Sequence, residues 1–265
     1  LHWVCNGFVD PSSLKKFNAP IVWTLRDTWP FTGGCHYFGE CTRYQGSCGK
    51  CPQLNSKQLY DVSRIQWWQK HRNWQDLDIT LVGISNWIAD AARASSLFSN
   101  KRIEVIHNAV DIKRFRPIDR LQARTLLNLP DDKQLILFGA VSATKDGRKG
   151  FGPLIKALQK VSMSKKDTEG IIFGSSKQQN DIELEMKLTY MGHLHDDLTL
   201  SILYSAADVM MVPSIQEAFG KTAIEAMACG TPVVSFDTSG LKDIVEHKVN
   251  GYRAKLLDTE DLAYG

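Results

Sequence analysis

The stretch Val209–Val234, VMMVPSIQEAFGKTAIEAMACGTPVV, decides the reading of this chain. Its apolar run stops at Pro213, a loop carries Glu217, and Gly220 opens a helix that holds Glu225. A second apolar run follows Gly230 and Pro232. Strand, loop, helix and strand in that order ask for a parallel sheet covered by helices. Seven residues separate the two glutamates, so both lie around one helix N-terminus. A helix start offers unpaired N–H groups and the positive end of the dipole, a ready anion site. Glu217 precedes the helix, and Glu225 sits about a turn and a half inside it, where a carboxylate can accept bonds from a vicinal diol. A phosphate at the helix start with hydroxyls on either side describes a nucleotide sugar. The plainer alternative is that both glutamates only complement the dipole and add solubilising charge, worth roughly a few tenths of a kcal/mol. The small residues Ala218, Gly220, Ala223, Ala226, Ala228 and Gly230 favour the ligand, because they let a backbone approach it closely. Phe219 has no surface reason to stand among them.

The same alternation extends outward. Downstream, TPVVSFD leads to GYRAKLL. Upstream, KQLILFGAVS (133–142) is a strand running into a glycine and GFGPLIKALQKV a helix. GIIFGSS, a helix over DIELEMKL (181–188), YMGHL and the helix LTLSILYSAA follow. Before them, PIVWTL (20–25), DITLVGIS (78–85) and RIEVIH (102–107) read as strands. SNWIADAARAS reads as a Ser-capped helix and residues 53–76 as a helix carrying Trp67, Trp68 and Trp74. Core packing suits these tryptophans better than sugar stacking. The phrase NAVDIKRFRP (108–117), polar and ending in Pro, reads as an interdomain linker. The expectation is an α/β chain of two Rossmann-like domains, 1–110 and 111–265. LHWVCNGFV starts inside a strand-like phrase without Met and EDLAYG ends in a first helical turn, so both ends read as cut.

With 265 residues, 43% hydrophobic and 23% charged, the composition is that of an ordinary globular protein. A net charge of +3 without a dense Lys/Arg tract argues against nucleic acid and suits an anionic substrate or an anionic membrane surface. No apolar run approaches ~20 residues and no signal peptide is visible, so a cytoplasmic protein is expected, with peripheral attachment to the inner membrane left open.

Four of the six cysteines, Cys35, Cys41, Cys48 and Cys51, cluster as C-x5-C-x6-C-x2-C in GGCHYFGECTRYQGSCGKCPQL. A structural zinc site fits this spacing best, with free thiols or two disulfides as alternatives. Cys5 and Cys229 read as buried small apolar residues, and His107 and His247 as hydrogen-bonded structural ones. In open α/β sheets ligands gather at the carboxyl ends of strands. There Gly139 adjoins TKDGRKG, whose Lys145, Arg148 and Lys149 can neutralise a diphosphate, although such a cluster is often only a solvated turn. Gly192, His193 and Leu194 end another strand, where backbone groups can pair with a base edge. Gly33 and Gly34 either admit substrate closely or simply allow the turn into the cysteine loop.

PSIQEAFGKTAIEAMACGTPVV resembles the E-x7-E region of retaining glycosyltransferases with the GT-B fold. HNAVDIKRFRP is similar to their interdomain phrase, and RKGF with ALQK to their K-G phosphate segment. TLRDTWPFTGGCHY and CGKCPQL resemble a bacterial exopolysaccharide and O-antigen subgroup. The resemblance implies two domains facing a cleft, the acceptor on the N-terminal one and a nucleotide-diphosphate sugar on the C-terminal one. It implies Glu225 on the donor ribose and Glu217 on the transferring sugar. The backbone amides of Phe219, Gly220 and Lys221 would meet sugar and phosphate, and Lys149 with Arg148 the leaving diphosphate. No catalytic metal is implied, and a saccharide or lipid-linked glycan is the acceptor. The chain departs from the pattern where relatives carry His before Asp: here Arg26 precedes Asp27. Arg cannot accept a proton. An anionic donor group, a phosphate contact by Arg26 or a weakened enzyme that only binds remain open. The early Gly-rich loop is missing, and Val141 and Ser142 stand near the family's further basic position, with Lys145 the nearest substitute. No G-x-G-x-x-G follows a strand, which speaks against a dinucleotide-dependent oxidoreductase.

Overall fold

The computed structural model describes residues 1–5, 9–139, 146–175 and 184–265. The chain divides into two compact units, Leu1–Asn108 and Ala109–Gly265. The first contains β1 (Ile21–Leu25), α1 (Val62–Trp74), β2 (Ile79–Gly83), α2 (Asn86–Ala94) and β3 (Arg102–Val105). The strands are parallel, in the order β1-β2-β3, with Ile21 opposite Ile79 and Leu25 opposite Gly83. Alternate residues of β1, Ile21, Trp23 and Leu25, face the core, as the period of a strand requires. There the Trp74 and Phe98 rings stack 6.0 Å apart, and Trp23 meets Trp74 edge-on at 5.3 Å.

The helix expected over 53–76 is shorter. Residues 52–54 form one 3-10 turn, which Asn55 ends in the left-handed conformation. The helix begins only at Val62, because the Asp61 carboxylate caps the N–H groups of Ser63 and Arg64. Core packing holds for Trp74 but not for Trp68, which is 51% exposed. α2 starts as expected, with Ser85 Oγ accepting from the Ile88 N–H.

The second unit contains α3 (Arg120–Leu126), β4 (Gln134–Gly139), α4 (Phe151–Ser164), β5 (Thr168–Phe173) and β6 (Leu188–Gly192). It continues with α5 (Asp197–Ala206), β7 (Val209–Val212), α6 (Lys221–Ala228), β8 (Val233–Phe236), β9 (Gly251–Ala254) and α7 (Thr259–Tyr264). All six strands are parallel, in the order β6-β5-β4-β7-β8-β9. Both faces are covered. Leu135, Leu137, Phe173 and Met210 pack with Tyr204 of α5 and Ala226 of α6. The residues between them, Ile136, Phe138, Ile172 and Met211, pack with Leu154 and Leu158 of α4. That explains why the strands read as unbroken apolar runs. The chain builds outward from β4 to β6, then returns to the other side of β4 with β7, so strand order reverses between β4 and β7.

One expectation is corrected here. In DIELEMKL, residues 181–183 lie outside the described residues, 184–187 are not helical, and Leu188 already belongs to β6. The phrase 108–117 spans the boundary between the two units, and its Phe115 is buried in the second core, where Val110 also packs. Among the described residues no helix is long and apolar enough to cross a membrane.

Candidate functional site

Strand order reverses between the neighbouring strands β4 and β7, and in open α/β sheets ligands gather beyond the carboxyl ends at such a point. The turn 147–150 before α4 and the loop 213–220 after β7 meet there. Gly150 has φ +76°, and a Cβ on it would lie 1.9 Å from the Pro213 carbonyl oxygen, so no other residue fits. The Ile215 N–H donates to the Arg148 carbonyl at 2.9 Å, and Arg148 Nη1 to the Gln216 carbonyl at 2.8 Å. This stitching brings Lys149 Nζ to 2.5 Å from Glu217 Oε2, with Arg148 Nη1 3.4 Å from the same oxygen. Asp146 holds Arg148 from the other side, Oδ2 to Nη2 at 2.8 Å. Glu217 is fixed through its backbone as well: its N–H donates to Ser239 Oγ, and its carbonyl accepts from the Gly240 N–H. Three of the predicted residues are thus brought together.

Gly220 caps α6 at φ +105°, and no side chain caps that helix start. Phe219 beside it is buried. Within the helix, Glu225 is 3% exposed. Tyr204 Oη donates to its Oε2 at 3.0 Å. Its Oε1 lies 3.1 Å from Lys221 Nζ, an ion pair, and has no hydrogen-bond donor among the described residues. Burial, then the Glu225 charge and the hydrogen bond to it, push the Tyr204 phenol far up, and it stays a donor at any working pH.

The remaining predicted positions are more dispersed. Gly139 ends β4, and a Cβ there would strike the Phe173 ring. Val141, Ser142 and Lys145 lie outside the described residues. Gly192 ends β6 with φ +66°, and its carbonyl accepts from the Gly174 N–H at 2.7 Å. His193 stacks with His195, and Leu194 packs on the core that holds Tyr204. His247 accepts from the Arg253 N–H at 3.1 Å, a structural task. Cys5 and Cys229 are buried, as expected.

In the first unit, Arg26 is exposed after β1 and Asp27 is buried. Asp27 accepts from the Trp29 N–H at 3.0 Å and pairs with His36 Nδ1 at 2.7 Å. At Gly33 and Gly34 side chains are excluded by close neighbours: a Cβ on Gly33 would lie 2.3 Å from the Ser63 carbonyl oxygen, and one on Gly34 2.4 Å from Gln66 Oε1. Cys35, Cys41, Cys48 and Cys51 line a single cavity. Sequence reading missed Tyr204, Asp146 and His36. Asp146 was within reach as an acid two residues before Arg148, but the Tyr204 partnership joins two helices and leaves no mark in spacing.

The family described as Glycosyl transferases group 1 matches residues 132–265. An uncharacterized glycosyltransferase of Methanocaldococcus jannaschii is 31% identical over 176 residues, which are 62% of this chain and 44% of that protein. Sucrose-phosphate synthase from Thermosynechococcus elongatus superposes with a TM-score of 0.66 at 25% identity, over 95% of this chain and 58% of that one. Anabaena HepE in complex with UDP and glucose superposes with a TM-score of 0.64 at 20% identity, over 95% and 62%, a likeness of fold alone. This chain therefore spans less than half the length of the archaeal relative. These solved structures share its parallel α/β architecture, that of the GT-B glycosyltransferases, and the family match runs through both the lysine turn and the two-glutamate helix. The chain belongs to the group 1 glycosyl transferases.

Proposed function

We propose that residues 109–265 are the donor half of a retaining, metal-independent glycosyltransferase that moves a sugar from a nucleoside-diphosphate sugar to a saccharide or lipid-linked glycan. Cell-surface polysaccharide synthesis is the setting that the sequence resemblance favours. The observation that carries the reading is Glu225 Oε1. Buried acceptors nearly always have a donor, and a ribose hydroxyl supplies the one that no described residue gives this oxygen. HepE, with the same fold, was crystallised with UDP and glucose, which fits this ligand class. In the proposed roles Glu225 holds the ribose and Glu217 the transferring sugar, next to the amides of Phe219, Gly220 and Lys221. As the diphosphate leaves it gains charge, and Lys149, Arg148 and the uncapped start of α6 stabilise that charge where it develops.

The test is nucleoside-diphosphate release by the full-length enzyme from a panel of donors, without added divalent metal, with the anomeric configuration of the product read by NMR. Release with retention is expected, and an inverted product rejects the retaining assignment. A second reading, binding without turnover, is favoured by the exposed Arg26 where relatives carry His. Nucleotide binding without release, restored in Arg26→His, would establish it.

A further inference from the structure

The cysteine loop belongs to the first unit and is a built feature. Its four cysteines line one cavity of about 190 Å³, and none forms a disulfide. Each lies within electrostatic reach of another: Cys35 of Cys41 and Cys51, and Cys48 of Cys35 and Cys41. The C-x-x-C turn is held open by three successive left-handed residues, Cys48, Gly49 and Lys50, at φ 51°, 91° and 47°. It is pinned to the start of α1, the Gly49 N–H donating to Ser63 Oγ at 3.0 Å and the Cys51 N–H to Asp61 Oδ2 at 2.8 Å. The Gly33 N–H donates to Cys48 Sγ at 3.2 Å, the kind of bond that orients and stabilises a thiolate.

Lys70 of α1 is an independent sign. It is 1% exposed, and among the described residues its ammonium bonds the carbonyls of Trp29 and Thr32 while lying 3.5 Å from the centre of the Trp29 ring. A buried cation is costly unless an anion balances it. Burial pulls this ammonium down, to about 7, and anions at Cys35, Cys48, Asp27 or Cys5 are near enough to pull it back up. Four thiolates around a divalent ion carry a net charge of minus two, which meets that need.

We propose that Cys35, Cys41, Cys48 and Cys51 bind one zinc ion as a structural tetrathiolate, with the buried Lys70 ammonium as its counter-charge. Binding releases four thiol protons, and the sulfurs close to the ~3.8 Å spacing that tetrahedral Zn–S bonds of ~2.3 Å impose. The rival is Cys5, Asp27 and His36, the group among the described residues whose donor atoms already lie within 4.8 Å of one another, whereas the four loop sulfurs have to draw together on binding. There, however, Asp27 is already engaged by His36 and the Trp29 N–H.

Elemental analysis of the whole chain, purified without chelator, tests this. One zinc per chain is expected, retained in Cys5→Ser and lost in the double variant Cys48→Ser/Cys51→Ser. Less than half an equivalent of zinc, iron with acid-labile sulfide in its place, or zinc lost from Cys5→Ser but kept by the double variant overturns it. Because the double variant can fail to fold, cobalt(II) exchanged into the unaltered chain gives a second readout. The intense absorption of a tetrahedral cobalt tetrathiolate is expected, and the weak bands of oxygen and nitrogen ligation overturn the site. Chelator competition on Lys70→Met should show zinc held ~10–100-fold more weakly, with partial rescue in Lys70→Arg. Unchanged affinity overturns the role of Lys70.

Discussion

Tyr204 decides how Glu225 can act. Its phenol occupies one carboxylate oxygen, while the other faces the Lys221 ammonium and has no hydrogen-bond donor among the described residues. Tyr204→Phe removes a buried hydrogen bond to a charged group and should cost about 1–3 kcal/mol of stability, read by urea denaturation. It should also weaken nucleotide binding, since Glu225 loses its anchor. Gly150→Ala should be severe for a different reason: at φ +76° with the Pro213 carbonyl in the way, the turn must move and take Lys149 from Glu217. Reduced nucleotide affinity together with a lower Tm is expected, and a variant indistinguishable from wild type would contradict the stitching of the two loops. At this scale the spacing of Glu217 and Glu225 was readable, because seven intervening residues on a strand–loop–helix path fix both positions. Tyr204 was not, because a cap or partner from another helix obeys no periodicity. The Gly33–Gly34 pair was readable only as two alternatives, and the close neighbours Ser63 and Gln66 exclude side chains under both.

The elements owe their limits to single side chains. Asp61 caps α1 and also takes the Cys51 N–H, so it joins the helix to the cysteine loop. Burial alone would raise its carboxyl, but hydrogen bonds from Cys51, Ser63, Ser56 and Arg64 outweigh that and hold it well below the ordinary carboxylate range. With the folded value depressed, the stabilisation is present above the unfolded value of about 4 and is lost as pH falls further. Asp61→Ala should cost about 1–2 kcal/mol at pH 7 and flatten the loss of stability below about pH 4, in denaturation curves taken across that range. At the amino edge of the second sheet, Asp208 joins Arg124 and Arg120, each at 2.7 Å, and accepts the Leu135 N–H. Arg124 is buried, so Asp208→Ala strands its charge and should cost about 3 kcal/mol. The six parallel strands of this unit were legible because both faces are buried. The start of α1 was misplaced because QLNSKQLYD carries no Gly or Pro to announce the break.

Across the whole molecule the chemistry is divided along the chain. The two-glutamate helix and the lysine turn belong to 109–265, while the cysteine loop, Asp27 and His36 belong to 1–108. Because the core of the second unit is made from its own strands and helices, the fragment 109–265 should unfold cooperatively and keep the nucleotide preference of the full chain. Calorimetric titration of nucleoside diphosphates and nucleotide sugars into wild type and Glu225→Ala tests the central claim most directly. One nucleotide should bind per wild-type chain, and the variant should bind it ~30-fold more weakly, about 2 kcal/mol for a charged hydrogen-bond acceptor. Equal affinity in the two proteins, or no binding of any nucleotide to the wild type, would contradict it.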